Sequence, residues 1–333
     1  MKVLVTGGAG YIGSTVASAL MDEGITPVIL DNLVNGRREF TEGRLFYEGD
    51  IVDRDLLKKI FTEHHDIEAA IHCAALIVVP DSVIRPYAYY TENVSKSITL
   101  FKTLAELGCR RILFSSSASI YDDTPDYKVT EASPLNPRSP YARTKYMMEM
   151  ILQDFCQAYG LQGIALRYFN PIGADPKMRT GSYIEAPSHL LGKMLSVYEG
   201  KEDIFNITGT QWDTRDGTGI RDYLHVWDLA LAHVAAIQHF ATIFPNNEAG
   251  YEVINLGNGQ GCTVREMVDA FSRVTGEPLK TREMPPREGD IPGAYADASK
   301  AKRLLDWQTT LSIEEGIRDA IAWDQKWLKM KRF

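Results

Sequence analysis

Lys2-Val3-Leu4-Val5-Thr6 runs straight into Gly7-Gly8-Ala9-Gly10-Tyr11-Ile12-Gly13, and Ile12, Val16, Ala19 and Leu20 then recur at helical spacing up to Gly24. An apolar strand, a glycine-rich turn and an amphipathic helix in that order make the phosphate-binding unit of dinucleotide sites. Side chains at the turn would hold the backbone away from a diphosphate, and the helix start offers unpaired N–H groups and a positive dipole end. Gly7, Gly10 and Gly13 therefore have a physical task, although an ordinary tight turn has the same composition. Asp31, at the end of the next strand-like run, separates the two readings. A carboxylate there accepts from both hydroxyls of an adenosine ribose and repels a 2′-phosphate, so NAD is expected in preference to NADP. Arg37 and Arg38 read as solvated loop residues or as a 2′-phosphate site. Asp50-Ile51 either flanks the adenine or, through its aspartate, caps a helix.

The alternation continues outward. Strands are predicted over residues 2–6, 27–30, 45–48 and 69–72, with helical patterns from Ile12 and from Asp53. A long helix over 87–107, a strand over 111–115, a helix over 141–159 and a strand over 163–168 follow. This rhythm predicts an α/β fold: a doubly wound parallel sheet of the Rossmann type. After Asn170-Pro171 proline, glycine and polar residues become frequent, which points to a smaller α/β domain. Residues 223–258 again read as helix then strand and return to the first sheet. The expected division is 1–170 plus 223–258 for the dinucleotide domain and 171–222 plus 259–333 for the second.

The 333 residues, 44% of them hydrophobic and 24% charged, suffice for a packed core without staples. A net charge of −8 argues against nucleic acid, whose binding relies on clustered lysine and arginine. One or two arginines can still hold a diphosphate against that background. Cys73, Cys109, Cys156 and Cys262 are scattered and read as buried apolar residues, with no metal-ligating set among them. No secretory signal and no apolar run near the roughly 18 residues of a membrane span is read, so a cytoplasmic protein with no membrane partner is expected.

The chemistry is expected from Ser117, just past the fifth strand, and from Tyr141 and Lys145 in Pro140-Tyr141-Ala142-Arg143-Thr144-Lys145. Residues four apart share one helix face. A phenol with a pKa near 10 is a poor base at neutral pH, but an ammonium and a positive nicotinamide ring both favour its phenolate. Tyr141 can then take a proton from a hydroxyl that Ser117 holds, while Lys145 reaches the nicotinamide ribose. In isolation such a pair also fits a plain surface helix; its place after a dinucleotide turn and a serine-rich strand end favours catalysis.

Thr6 to Ser14, Asp31-Asn32-Leu33, Phe114 to Ser117, Ser139 to Lys145, Arg167-Tyr168-Phe169-Asn170-Pro171, Asp216 to His225 and Arg287-Glu288-Gly289-Asp290 together resemble the UDP-glucose 4-epimerases, extended short-chain dehydrogenases. The resemblance covers nearly the whole chain. It implies oxidation of a UDP-sugar at C4 by tightly held NAD, rotation of the 4-keto intermediate and reduction on its opposite face. It implies Ser117, Tyr141 and Lys145 as the catalytic set. Gly7, Gly10, Tyr11, Ile12, Gly13, Asp31, Asn32, Asp50, Ile51, Ala74, Asn93, Tyr141, Lys145 and Tyr168 match cofactor positions. Ser117, Asn170, His189, Leu190, Arg221, Arg287, Asp290 and Ala294 match the UDP-sugar side. The arginines suit a diphosphate on chemical grounds too; Arg221-Asp222 and Arg287-Asp290 surface ion pairs are the alternative.

Several positions depart from the pattern. Ile77 stands where a lysine is usual, and His189 where an asparagine usually touches the nucleotide sugar; a structural histidine is the other reading. The insert between Gly173 and His189 differs in length and composition. Ala294 replaces a bulky tyrosine, which implies room for an N-acetyl group and acceptance of UDP-GlcNAc and UDP-GalNAc beside UDP-glucose and UDP-galactose. Tyr295 next to it is positioned to refill that space. A 4,6-dehydratase needs an acid beside the reacting carbons, and Ala118-Ser119 after Ser117 supply none. Epimerases of UDP-glucuronate or a UDP-pentose, decarboxylases and a non-catalytic NAD(H) sensor remain as alternatives. The resemblance implies a homodimer through the helices over 87–107 and 141–159.

Overall fold

The computed structural model describes residues 1–286 and 292–330. Seven strands form one parallel sheet: β1 (Lys2–Thr6), β2 (Thr26–Asp31), β3 (Leu45–Glu48), β4 (Ile67–His72), β5 (Arg111–Ser115), β6 (Gln162–Tyr168) and β7 (Gly250–Leu256). Their order is β7-β6-β5-β4-β1-β2-β3. The direction of winding reverses between β1 and β4, and a doubly wound sheet opens its ligand crevice at the carboxyl ends of such a pair. The predicted α/β doubly wound fold is the observed one.

The sheet strands are apolar on both faces because helices cover both. Val3, Val5, Ile71, Leu113, Ile164 and Leu166 pack under α1 (Tyr11–Asp22) and under the helix Val226–Ile243, through Val16, Ala19, Leu229 and Ile237. Leu4, Val28, Leu30, Ala70, Ile112 and Ala165 face the opposite layer, α2 (Arg54–Glu63), α3 (Lys96–Glu106) and α4 (Pro140–Tyr159). Alternate residues of β1 thus feed two different cores, as a pleated strand requires.

Helix starts follow local chemistry. The Asp53 side chain accepts from Leu56 N and caps α2. Ser139 caps α4 by accepting from Ala142 N, Pro140 occupies its first turn, and Gly160 ends it in the left-handed region. The helix predicted over 87–107 is three pieces: Pro86–Tyr90 passes through a π turn, Thr91–Ser95, into α3. Val226–Ile243 reaches spanning length and apolarity by composition, which the sequence reading did not anticipate. It packs against α1 and the sheet, and Asp228 within it accepts from Thr310 and Leu311.

The remaining strands are short. Cys262–Thr263, Ile220–Arg221, Gly293–Ala296 and Lys128–Val129 make a second sheet, and Asn170–Ile172 pairs with Tyr223–His225. A separate apolar cluster joins Leu191, Met194, Phe205, Phe271 and Ile317 beneath them.

Two histidines are buried between these layers. His72 meets the Thr6 hydroxyl at Nδ1 and the Ser97 hydroxyl at Nε2, both at 2.8 Å, and burial followed by the Lys145 charge pushes its pKa down to about 3. His233 bonds the Leu229 carbonyl through Nδ1 and is pushed down to about 4, chiefly by burial. Both stay neutral in the folded chain while the unfolded chain takes up protons near pH 6.5. Their contribution to stability is therefore complete above that pH and is lost as pH falls toward the folded values, at roughly 1 kcal/mol per pH unit for each. Urea midpoints from pH 7 to 5 should fall with that slope, and His233→Leu should reduce it by about half.

Candidate active site

The crevice between the ends of β1 and β4 is formed by the turn after each strand. Gly7 has φ of 71°, and a Cβ there would stand 2.6 Å from Ala74 N, so the first turn lies directly against the second. A Cβ on Gly13 would meet the Gly7 carbonyl oxygen at 2.3 Å, which fixes how closely α1 follows its turn. Gly10 is the N-cap and provides no side-chain acceptor, and α1 has no acidic residue in its first turn. The helix start thus presents N–H groups and a positive dipole end toward the crevice.

Asp31 ends β2 almost fully buried; its carboxylate accepts from Ala9 N at 3.0 Å and Leu33 N at 2.8 Å. Burial raises its pKa, and the two backbone donors oppose that rise. Asn32 is exposed beside it, and its side chain reaches Asp50. Asp50 does not cap α2, as one sequence reading allowed. It accepts from Lys96 Nζ at 2.6 Å and from Val52 N at 3.2 Å; burial pushes its carboxyl up, and these bonds carry it below the ordinary value. Ile51 is buried in the core. Of the two arginines read as 2′-phosphate candidates, Arg38 pairs with Glu48, and Arg37 stacks on Tyr183.

The three residues read as catalytic come together. Ser117 follows β5 in extended conformation, its Oγ 2.9 Å from Ser119 Oγ, and its side chain lies near enough to the Tyr141 hydroxyl to favour the phenolate. Tyr141 and Lys145 lie on one face of α4, both buried. The electrostatics differ from the sequence expectation. Burial raises the Tyr141 phenol above its ordinary value, with Ser117 pulling the other way. Lys145 Nζ donates to the Ser115 carbonyl at 2.7 Å and sits 5.0 Å from the Phe114 ring centroid and 5.9 Å from that of Tyr141. Burial pushes this ammonium down to about 8. Desolvation thus weakens the lysine as a cation and sets the direction of the phenol's shift.

The surroundings of this cluster escaped the sequence reading. The Ser115 hydroxyl meets Cys73 Sγ at 3.2 Å and the Tyr168 hydroxyl. Asn93, on the π turn, spends its amide on Leu76 N, Leu76 O and Thr144 Oγ1, tying the loop after β4 to α4. Behind Lys145, Glu149 accepts from Ser116 and from Arg167, which also donates to the Tyr121 hydroxyl at 3.0 Å; Tyr121 in turn donates to Asn255 at 2.6 Å. Glu149 stands four residues after Lys145 and Arg167 opens the quoted Arg-Tyr-Phe-Asn-Pro stretch, so spacing alone could have paired them with the site.

On the other side of the crevice, Asn170 Nδ2 donates to the Asp222 carbonyl at 3.0 Å. His189 caps the helix Leu190–Tyr198 by accepting from Gly192 N, which realises its structural reading, and Leu190 is that helix's first residue. Arg221 donates to the carbonyls of Ile220 and Pro292. The Arg221-Asp222 surface pair does not form, because Asp222 is fully buried and accepts from Asn258 N, Gly259 N and Ala296 N. Ala294 pairs with Arg221 in parallel register. Tyr295 points to the opposite face, toward Gly261, and so does not refill the space beside Ala294. Ile77 is exposed. Arg287 and Asp290 lie outside the described residues.

A family model described as the NAD dependent epimerase/dehydratase family matches residues 3–257. The UDP-glucose 4-epimerase of Bacillus subtilis is 40% identical over 333 residues, covering 97% of this chain and 96% of that protein. A crystal structure of UDP-glucose 4-epimerase from Stenotrophomonas maltophila with bound NAD and formylated UDP-arabinopyranose is similar at a TM-score of 0.93 and 36% identity, over 100% of this chain and 99% of the other. The UDP-glucose 4-epimerase from Bifidobacterium longum in complex with NAD+ and UDP is similar at a TM-score of 0.89 and 34% identity, over 98% of each chain. A match that begins on the first strand of the sheet and ends just past its last makes this chain a member of the NAD dependent epimerase/dehydratase family.

Proposed function

We propose that the chain is an NAD-dependent 4-epimerase interconverting UDP-glucose and UDP-galactose, and also UDP-GlcNAc and UDP-GalNAc. The observation that carries this reading is the convergence of Ser117, Tyr141 and Lys145, with Ser117 drawing the buried phenol's pKa down, at the strand ends of a sheet whose switch point holds a bare glycine turn. That turn fits a diphosphate, since a Cβ at Gly7 would collide with backbone and no side chain caps the start of α1. Gly7, Gly10, Tyr11, Ile12 and Gly13 would hold the diphosphate of NAD, Asp31 and Asn32 the adenosine ribose, Asp50 and Ile51 the adenine side, and Ala74, Asn93, Tyr168 and Lys145 the nicotinamide side. NAD supplies the oxidant for a sugar alcohol, the reductant for the resulting ketone, and a positive ring beside the phenol. Ser117 holds the C4 oxygen by hydrogen bond, and Tyr141 takes its proton and returns it to the opposite epimer. Lys145 sets an ammonium on the same helix face as that phenol, and the coenzyme's positive ring would add the charge that offsets its burial. Asn170, His189, Leu190, Arg221, Arg287 and Asp290 would hold the UDP-sugar.

Residues 1–170 plus 223–258 would form the dinucleotide domain, and 171–222 plus 259–333 the sugar-nucleotide domain. A second copy would cover α3 and α4, where Ile98, Met150 and Tyr159 stand exposed at 37%, 42% and 42%. Light scattering should give twice the chain mass. Four free cysteines suit a cytoplasmic protein.

Incubating purified protein with UDP-galactose, without added NAD, should yield UDP-glucose; no conversion would defeat the reading. UDP-GalNAc should also convert. Ala294→Tyr should cut kcat/KM for UDP-GalNAc by about 10–100-fold with little change for UDP-galactose, because a phenol fills the acetamido space. Equal losses on both substrates would reject the pocket assignment.

A further inference from the structure

The segment between Gly173 and His189, which departs from the epimerase pattern, crosses the start of α1. Its Tyr183 hydroxyl faces the Tyr11 backbone N–H, which draws the phenol's pKa down against its burial, and a Cβ on Gly10 would lie 3.8 Å from that oxygen. The ring is held from two sides. The Arg37 guanidinium lies 4.9 Å from its centroid, and Phe40 packs edge-on at 5.6 Å. Phe40 rests on Trp323 and Trp327 of the C-terminal helix, and Trp323 Nε1 donates to the Ser182 carbonyl at 2.6 Å. Arg37 N in turn donates to the Ala9 carbonyl at 2.9 Å, so the arginine is anchored on the glycine turn itself.

We propose that Tyr183 and Arg37 are cofactor-binding residues that strap the dinucleotide diphosphate onto the start of α1, the tyrosine hydroxyl donating to a phosphate oxygen. The inference rests on the dinucleotide reading of the glycine turn. In the free chain a neutral phenol oxygen faces the Tyr11 amide. A phosphate oxygen is a stronger, charged acceptor and takes that amide, and the displaced hydroxyl turns its own proton toward the same anion. Arg37 is a cation already ordered by stacking, so little freedom is lost when it faces the diphosphate. Such a strap would slow the loss of the coenzyme between turnovers.

The test measures release of NAD from the purified protein into excess trap, and NAD affinity of stripped protein by calorimetry, for wild type, Tyr183→Phe and Arg37→Met. Tyr183→Phe keeps the ring and loses one hydrogen bond to a charged group, so NAD should leave about 10-fold faster. Arg37→Met should also release faster, with a weaker dependence on salt. Circular dichroism and melting of the stripped variants should match wild type. Tyr183→Phe releasing NAD at the wild-type rate would overturn the strap, and slower release would make the hydroxyl a competitor for the amide instead. Wild type that binds no NAD would sink the dinucleotide reading itself, a result distinct from either.

Discussion

Tyr141→Phe should lower turnover of UDP-galactose by about 10²–10⁴-fold while NAD stays bound and the fold is unchanged. The ring fills the same buried space, so packing on α4 is kept; what is lost is the phenol hydroxyl beside Ser117, the group read as exchanging a proton with the sugar. Burial holds the phenol above its ordinary value in the chain alone, so charge brought in with the coenzyme must lower it. The variant should therefore show no activity recovered by raising pH, since no titrating oxygen remains. Measured kcat against pH for wild type and variant checks this, and turnover within threefold of wild type would remove Tyr141 from the chemistry.

Glu149→Ala should destabilise the chain by about 3–5 kcal/mol, the largest single effect on stability expected here. Its carboxylate and the Arg167 guanidinium are 4% and 5% exposed, and removing one partner leaves a cation buried without its counter-charge. The Ser116 hydroxyl loses its acceptor in the same step. Glu149→Leu combined with Arg167→Met should recover most of the loss, because it leaves no buried charge. Denaturant midpoints of Glu149→Ala, Glu149→Leu, Arg167→Met and the double variant measure this; a double variant as unstable as the sum of its singles would show that the pair is not one unit.

The large sheet was legible because each strand is an apolar run covered on both faces, which a single stretch of sequence displays. The predicted bounds of β1, β3 and β5 coincide with the observed Lys2–Thr6, Leu45–Glu48 and Arg111–Ser115. The second sheet was not legible: Ile220–Arg221, Lys128–Val129 and Cys262–Thr263 are two residues each, drawn from distant segments, and no periodicity exists over such a length. Ser117, Tyr141 and Lys145 could be grouped because α4 and β5 carry them in fixed frames. Their electrostatics could not, because whether Lys145 aids the phenol depends on burial and on the Ser115 carbonyl that accepts its hydrogen bond. Asp222 shows the same limit. An Arg-Asp dipeptide looks like a surface pair, and only the tertiary fold turns its carboxylate inward to three amides.

That carboxylate has a mechanical meaning. It rivets the chain just beyond β7 to the strand that carries Ala294, so the wall facing the sugar and the edge of the coenzyme sheet are clamped through one side chain. Walls fixed in this way do not swing to follow a turning guest. On the epimerase reading, the ketone must pivot by itself within a stationary slot, and the looseness that lets both faces be reduced belongs to the sugar rather than to the protein around it.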